Sequence, residues 1–434
     1  MLKKINVILL CGLICGCSFW QNSNSQTYWG QRYSSSYSAN VPAVSSTDYS
    51  QVDLGHTDSL RVAMLLPLSG ADAAIGQDMK NAAMMAIGDI NNNNLVVQFY
   101  DTRGTGSGAR VALENALNAK SNLILGPLKA EEVSAISAET RSHGVPVVSF
   151  STSPSVLQEG VYSIGLLNDE QIKRIVRYAA DHNRRRLAVV LPDNSSGLNM
   201  FKSVLAAAQK YGVEVTKAGF YAPSAMDFTS LATQMTASRS NGDFGFDALL
   251  IPESGNRLKA ITSMFSYYDV AAPDVLFMGT SVWANTGLSK ETELYGAVYP
   301  LMPLSRIEQF NAQYNELFGH RPNSLSIYAY DAVAMASFLT QSDKDELAEQ
   351  IVRSQGFSGM SGLFRILPNG FNEHGLDVVK VTAGGPQLVE AAMQQFYSSS
   401  AYDENWSAHS AYMTMPQIYG KSPETLRSLL NIVQ

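Results

Sequence analysis

Cysteine is scarce in this 434-residue chain, and the three present, Cys11, Cys15 and Cys17, all fall in the first seventeen residues. No disulfide can therefore staple the remainder, and stability has to come from a buried apolar core. The length and the 45% hydrophobic content supply one, enough for two or three globular units. Histidine is also sparse. The six, at positions 56, 143, 182, 320, 374 and 409, form no close metal-binding spacing. A Gly-x-Ser-x-Gly nucleophile elbow is missing too, so the pattern points to no enzyme, no metal and no cofactor. Gly104-Thr105-Gly106-Ser107-Gly108-Ala109 has the spacing of a dinucleotide-binding loop, but the acidic ribose partner that such a loop requires does not follow it. It reads as a loop. Basic runs are limited to Arg184-Arg185-Arg186, and with a net charge of -7 nothing favours nucleic acid as a partner.

The apolar run from Ile5 to Ile14 follows Lys3 and Lys4 and meets Cys15-Gly16-Cys17. It is too short to span a bilayer, and its order of charged, apolar and small residues is that of a signal peptide, read as residues 1–16. Ile14-Cys15-Gly16-Cys17 resembles a bacterial lipobox. That resemblance implies lipidation at Cys17, the first residue of the mature chain, and Ser18 implies anchorage to the outer membrane of the envelope, facing the periplasm. An ordinary signal peptide cut nearby is the alternative. Residues 17–58 are rich in Ser, Asn, Gln and Tyr and poor in aliphatic residues, so they bury too little surface to offset their ordering entropy and read as a flexible tether. A packed stalk built on Trp20, Tyr28, Trp29 and Tyr33 is the other reading.

From residue 59 the chain alternates strand and helix. Near-continuous apolar strands are predicted at Arg61–Leu66, Leu95–Asp101, Leu123–Leu125, Val145–Phe150, Leu187–Leu191, Val213–Phe220, Phe246–Ile251 and Val275–Met278. Between them apolar residues recur at helical spacing, as in Ile172, Ile175, Val176, Ala179 and Ala180. Strands of this kind, each followed by an amphipathic helix, make parallel sheets covered on both faces, the doubly wound α/β class. The rhythm breaks near residues 151–168 and 298–305, which divides the body, 59–395, into two similar lobes. The first is expected from 59–165 and 302–360, the second from 166–301 and 361–395. Pro368-Asn369-Gly370 predicts a hairpin joining Gly362–Ile366 to Leu376–Val381. Residues 396–434 read as a polar tail ending in a short helix.

Leu65-Leu66-Pro67-Leu68-Ser69-Gly70, Gly76, Asp89-Ile90-Asn91, Tyr100-Asp101, Ile124-Leu125-Gly126-Pro127, Val145-Pro146-Val147-Val148-Ser149 and Phe277-Met278-Gly279 together resemble a type I periplasmic binding protein of the branched-chain amino-acid receptor group. The resemblance covers roughly residues 60–389. Within that group, Gly126-Pro127-Leu128, Val161-Tyr162-Ser163-Ile164-Gly165 and Leu191-Pro192-Asp193-Asn194 are most similar to the lipoprotein activators of penicillin-binding proteins. It implies two αβα lobes with three crossovers and a ligand cleft at the strand ends, lined by Ser69, Gly70, Leu128, Lys129, Ser151, Thr152, Ser153, Asn194, Ser196, Glu253, Ser281 and Trp283.

Ser153 aligns with the carboxylate-binding hydroxyl of the receptors. Ser281, however, stands where they carry the acidic residue that holds the ammonium group, and Glu253 is the possible substitute. Each hydroxyl has a plainer use as a cap or turn. Lys129 has one as solvated surface, and Trp283 as a buried anchor. The implied partner is a bifunctional penicillin-binding protein, with a small molecule possible in the cleft. The alternative function is solute capture for an ABC transporter.

Overall fold

The computed structural model describes residues 59–238, 242–396 and 416–422. The expected signal peptide, Cys17, the tether and the terminal helix lie outside them.

The first sheet is all parallel. Strands β1 (Leu60–Leu66), β2 (Leu95–Asp101), β3 (Leu123–Leu125), β4 (Val147–Ser149) and β5 (Val161–Ser163) lie in the order β2-β1-β3-β4-β5. Alternation along β1 sorts its side chains onto two cores. Leu60, Val62, Met64 and Leu66 pack with helix α1 (Ala73–Ile90), while Ala63 and Leu65 pack with α2 (Gly106–Asn118) and α3 (Ala130–Ser142). Full burial of each such leucine contributes roughly 1.5–3 kcal/mol, and these residues are almost completely excluded from solvent.

The second lobe repeats the plan. Helices α4 (Asn168–Asp181) and α5 (Ser195–Tyr211) cover one face of β6 (Arg186–Pro192) through Leu187, Val189 and Leu191. The other face, Ala188 and Val190, meets α6 (Thr229–Thr236) and α7 (Gly255–Tyr267). Strands β7 (Glu214–Tyr221), β8 (Ala248–Leu250), β9 (Leu276–Met278) and β10 (Val298–Leu301) join β6 in one sheet, so the rhythm break read at 298–305 begins on a strand.

The chain then returns to the first lobe. Helix α8 (Leu304–Phe318) is followed by α9 (Ser326–Leu339), which lies against α1, and by the short α10 (Leu347–Ile351). A small antiparallel sheet follows, β11 (Phe357–Gly359), β12 (Gly362–Ile366) and β13 (Asn372–His374). Its Phe364 and Ile366 are buried in the first core, and Asp331 of α9 accepts the Met360 and Ser361 N–H at 2.6 and 2.8 Å.

The expected hairpin is therefore redrawn. β12 pairs with β13 around Pro368-Asn369-Gly370. The following strand β14 (Asp377–Thr382) instead runs antiparallel to β10 in the second sheet and turns into the edge strand β15 (Gly385–Glu390). The passage into the second lobe falls after residue 374 instead of at 361. The first passage between lobes lies near 164–167 and the second near 302–303, giving the three crossings of the two-lobed fold. Asn372 ties the third passage to the first, donating from Nδ2 to Ser163 O and Gly165 O at 2.9 and 2.8 Å.

In the tail, β16 (Gln417–Tyr419) adds in parallel to β7, at the opposite edge of the second sheet from β15.

Candidate functional site

The predicted cleft residues lie at or just beyond the carboxyl ends of the strands, the end at which open α/β sheets bind ligands. Ser69 and Gly70 follow β1, Leu128 and Lys129 follow β3, and residues 151–153 follow β4. In the second lobe Asn194 and Ser196 follow β6, Glu253 follows β8, and Ser281 follows β9. What those residues bond to decides what they offer a ligand.

In the loop after β1 the N–H donors that a strand end can offer a ligand are already occupied. Asp101, at the end of the neighbouring β2, takes them. Its Oδ1 accepts from Leu68 N–H at 2.9 Å and Ser69 N–H at 3.1 Å, and its Oδ2 accepts from the Ser69 hydroxyl at 2.6 Å. Burial alone would raise the Asp101 pKa, but these bonds and one from Arg103 N–H hold it below the ordinary carboxylate range. Gly76, in the first turn of α1, lets that turn press on the loop, since a Cβ there would sit 2.0 Å from the Pro67 carbonyl oxygen.

Lys129 is likewise engaged. Its ammonium pairs with Asp72 and donates to Gly104 O at 3.2 Å, and the bond to Asp72 raises its pKa. Leu128 packs on the first core. The glycine-rich loop is a helix start, in which Thr105 Oγ1 accepts from Gly108 N–H at 3.1 Å.

After β4 the serines cap one another. Ser151 N–H donates to Ser149 Oγ at 2.8 Å, Ser153 N–H to Ser151 Oγ at 3.3 Å, and the Ser153 and Ser155 hydroxyls lie 2.9 Å apart. Ser151 is buried, and its carbonyl accepts from the Ser163 hydroxyl at 2.7 Å. Thr152 is exposed.

Across the second lobe the pattern repeats. Asn194 caps α5, its Oδ1 accepting from Gly197 N–H at 2.9 Å, while Ser196 is exposed in the first turn. Glu253 accepts from the Tyr221 hydroxyl at 2.5 Å and from Arg257 Nη1 at 3.2 Å, and its other oxygen takes Ser254 N–H at 2.9 Å. Its charge is matched. Burial, reinforced by Glu253, pushes the Tyr221 phenol far above its ordinary value and keeps it a neutral donor.

Ser281 supplies no carboxylate, and its N–H donates to Gln171 Oε1 at 2.7 Å. Trp283 is not a cleft platform. It is 0% exposed, donates from its indole to Ile251 O at 3.0 Å and packs against Tyr299, because a cleft position would leave a large apolar ring wet. Sequence reasoning missed Asp101, Arg257, Gln171 and Asp72, of which only Arg257 carried a local signal, the i,i+4 spacing from Glu253.

A family model described as periplasmic binding protein matches residues 59–386. The chain belongs to the periplasmic binding protein family. Membership places the folded body in the periplasm.

Among curated relatives, the chain is 24% identical over 131 residues to an uncharacterized protein of Rickettsia prowazekii, covering 30% of this chain and 35% of that one. It is 21% identical over 242 residues to the Leu/Ile/Val-binding protein BraC3 of Rhizobium johnstonii, covering 53% and 65%. The matches thus span less than two thirds of either relative's length. The solved leucine binding protein LivK of Thermotoga maritima superposes with a TM-score of 0.56 at 19% identity, covering 77% of this chain and 98% of that one. At that identity the likeness concerns the fold.

Proposed function

We propose that this protein is an envelope lipoprotein, anchored through Cys17 to the outer membrane, whose periplasmic body binds and activates a bifunctional penicillin-binding protein. The observation that carries this reading is the closure of the polar strand-end groups on one another. Asp101 consumes the donors after β1, Arg257 matches Glu253, and Ser281 stands where an amino-acid receptor keeps its acid. Desolvating a zwitterion there would leave its ammonium group uncompensated. A regulator acting through its surface has no need of such a charge. The penicillin-binding protein as partner rests on the sequence resemblance, and lipid anchorage would raise its effective concentration near a synthase confined to the same space.

A second reading, solute capture for an ABC transporter, is favoured by the likeness to LivK and BraC3. One paired experiment separates the two. Purified protein should raise glycan polymerisation or crosslinking by the organism's own bifunctional synthases, while calorimetry with leucine should show no binding. Unchanged synthase activity at saturating protein sinks the activator reading, and micromolar leucine affinity establishes the transport reading in its place.

A further inference from the structure

A cavity of about 110 Å³ opens in the second lobe between the 3₁₀ turns at Ser281–Asn285 and Leu288–Lys290 and the β14–β15 hairpin. Its walls are Trp283, Leu288, Tyr299, Val381 and Pro386, with no charged side chain among the lining residues. The two aromatic rings meet with centroids 5.9 Å apart at 51°. Trp283 spends its N–H on Ile251 O, so it offers only ring surface. Tyr299 differs. It is 3% exposed, yet its hydroxyl has no hydrogen-bond partner among the described residues.

The hydroxyl is not one of the fully enclosed unpaired atoms, so it borders the open space of the cavity and is available to a ligand. Gly287 and Gly385 flank the cavity in the left-handed region, at φ 69° and 103°, and a Cβ built on either meets nothing within 4 Å. The site thus has an apolar floor, an open side, and hydroxyls from Tyr299, Ser289 and Thr382 in its lining, of which Thr382 Oγ1 already donates to Gly385 O at 2.7 Å. Its volume is below that of an engineered apolar cavity of roughly 150 Å³ that takes up benzene, which limits an occupant to a single ring. An ion is disfavoured, because no charged side chain lines the cavity to offset its desolvation.

We infer that this cavity binds a small uncharged single-ring molecule carrying one hydrogen-bond acceptor, which the Tyr299 hydroxyl meets. The site shares only Trp283 with the predicted cleft residues and does not depend on the synthase reading.

The test titrates the protein with phenol, which carries the acceptor, and with toluene, which does not. The readout is the indole N–H resonance of Trp283, identified by its loss in Trp283→Phe. Phenol should shift it saturably and bind more tightly than toluene. Tyr299→Phe should weaken phenol roughly five-fold, the effect of one neutral hydrogen bond, and leave toluene unchanged. Ala284→Phe, which fills the space from an exposed lining position, should abolish both shifts. A resonance that phenol leaves unmoved up to its solubility limit overturns the inference. So does equal phenol affinity in Tyr299→Phe, or a shift retained in folded Ala284→Phe. Should Ala284→Phe not fold, the Tyr299→Phe comparison decides alone.

Discussion

His374 ends β13 at the third passage between lobes and is 4% exposed. Its ring stacks on Phe364, with centroids 5.9 Å apart at 25°, and meets Tyr328 edge-on at 6.3 Å. Both neighbours are uncharged at neutral pH. Neither ring nitrogen finds a hydrogen bond of ordinary geometry, and the backbone of Ile164 gives only weak support. Burial, the dominant cause, pushes the pKa down from 6.5 to about 4.

On acidification the unfolded chain therefore takes up this proton first. The stability linked to a neutral His374 is fully present above pH 6.5 and drains away as pH falls toward 4. At about 1.4 kcal/mol per pKa unit the loss approaches roughly 3 kcal/mol below pH 4 and about 2 kcal/mol at pH 5. His374→Phe keeps an aromatic ring on Phe364 and removes the titration. Urea unfolding followed by circular dichroism at pH 7.5, 6 and 5 should give near-equal stabilities for variant and native protein at pH 7.5, and a variant more stable by about 2 kcal/mol at pH 5. Parallel pH profiles would refute the reasoning, since they would mean that His374 protonates as readily folded as unfolded.

Gly279→Ala should cost about 1–3 kcal/mol in the same assay, because a Cβ there falls 2.1 Å from Trp283 Cε2 and the indole must leave its seat. A loss under roughly 0.5 kcal/mol, with unchanged near-ultraviolet dichroism, would show that the ring was not fixed there. Both ring nitrogens of His320 face acceptors, Phe318 O at 3.0 Å and Asp78 Oδ1 at 2.9 Å, an arrangement that favours the imidazolium, and the bond to Asp78 raises its pKa. The stability it contributes is complete below 6.5 and is lost as pH rises through the raised folded value. For Asp78, burial is outweighed by bonds from His320, Asn323 and Tyr314, and its contribution fades only as pH drops through a value below 3.8. Asp78→Asn should therefore lower the melting temperature more at pH 5.5 than at pH 9, and an equal deficit at both would contradict the ion pair.

Period and composition in the sequence were enough to define the layers. Apolar runs such as Arg61–Leu66 and Leu187–Leu191 became β1 and β6, shifted by at most a residue at their ends, because a strand buried on both faces must be apolar throughout. The helices between them were equally legible from their buried stripes.

Pairing was decided by the tertiary structure alone. Gly362–Ile366 was expected to join Leu376–Val381, but the turn at Pro368-Asn369-Gly370 closes on β13, and β14 leaves for the other lobe, where β10 offers an open edge. In the same way nothing local to Ser69 announces that Asp101, 32 residues on, takes its hydroxyl and N–H. That contact exists because β1 and β2 are neighbours in register from Leu60↔Leu95 to Leu66↔Asp101. A sequence shows which face a side chain seeks, since burial follows from local period. Which donor meets which acceptor depends on strand order and register, and these emerge only when distant segments pack.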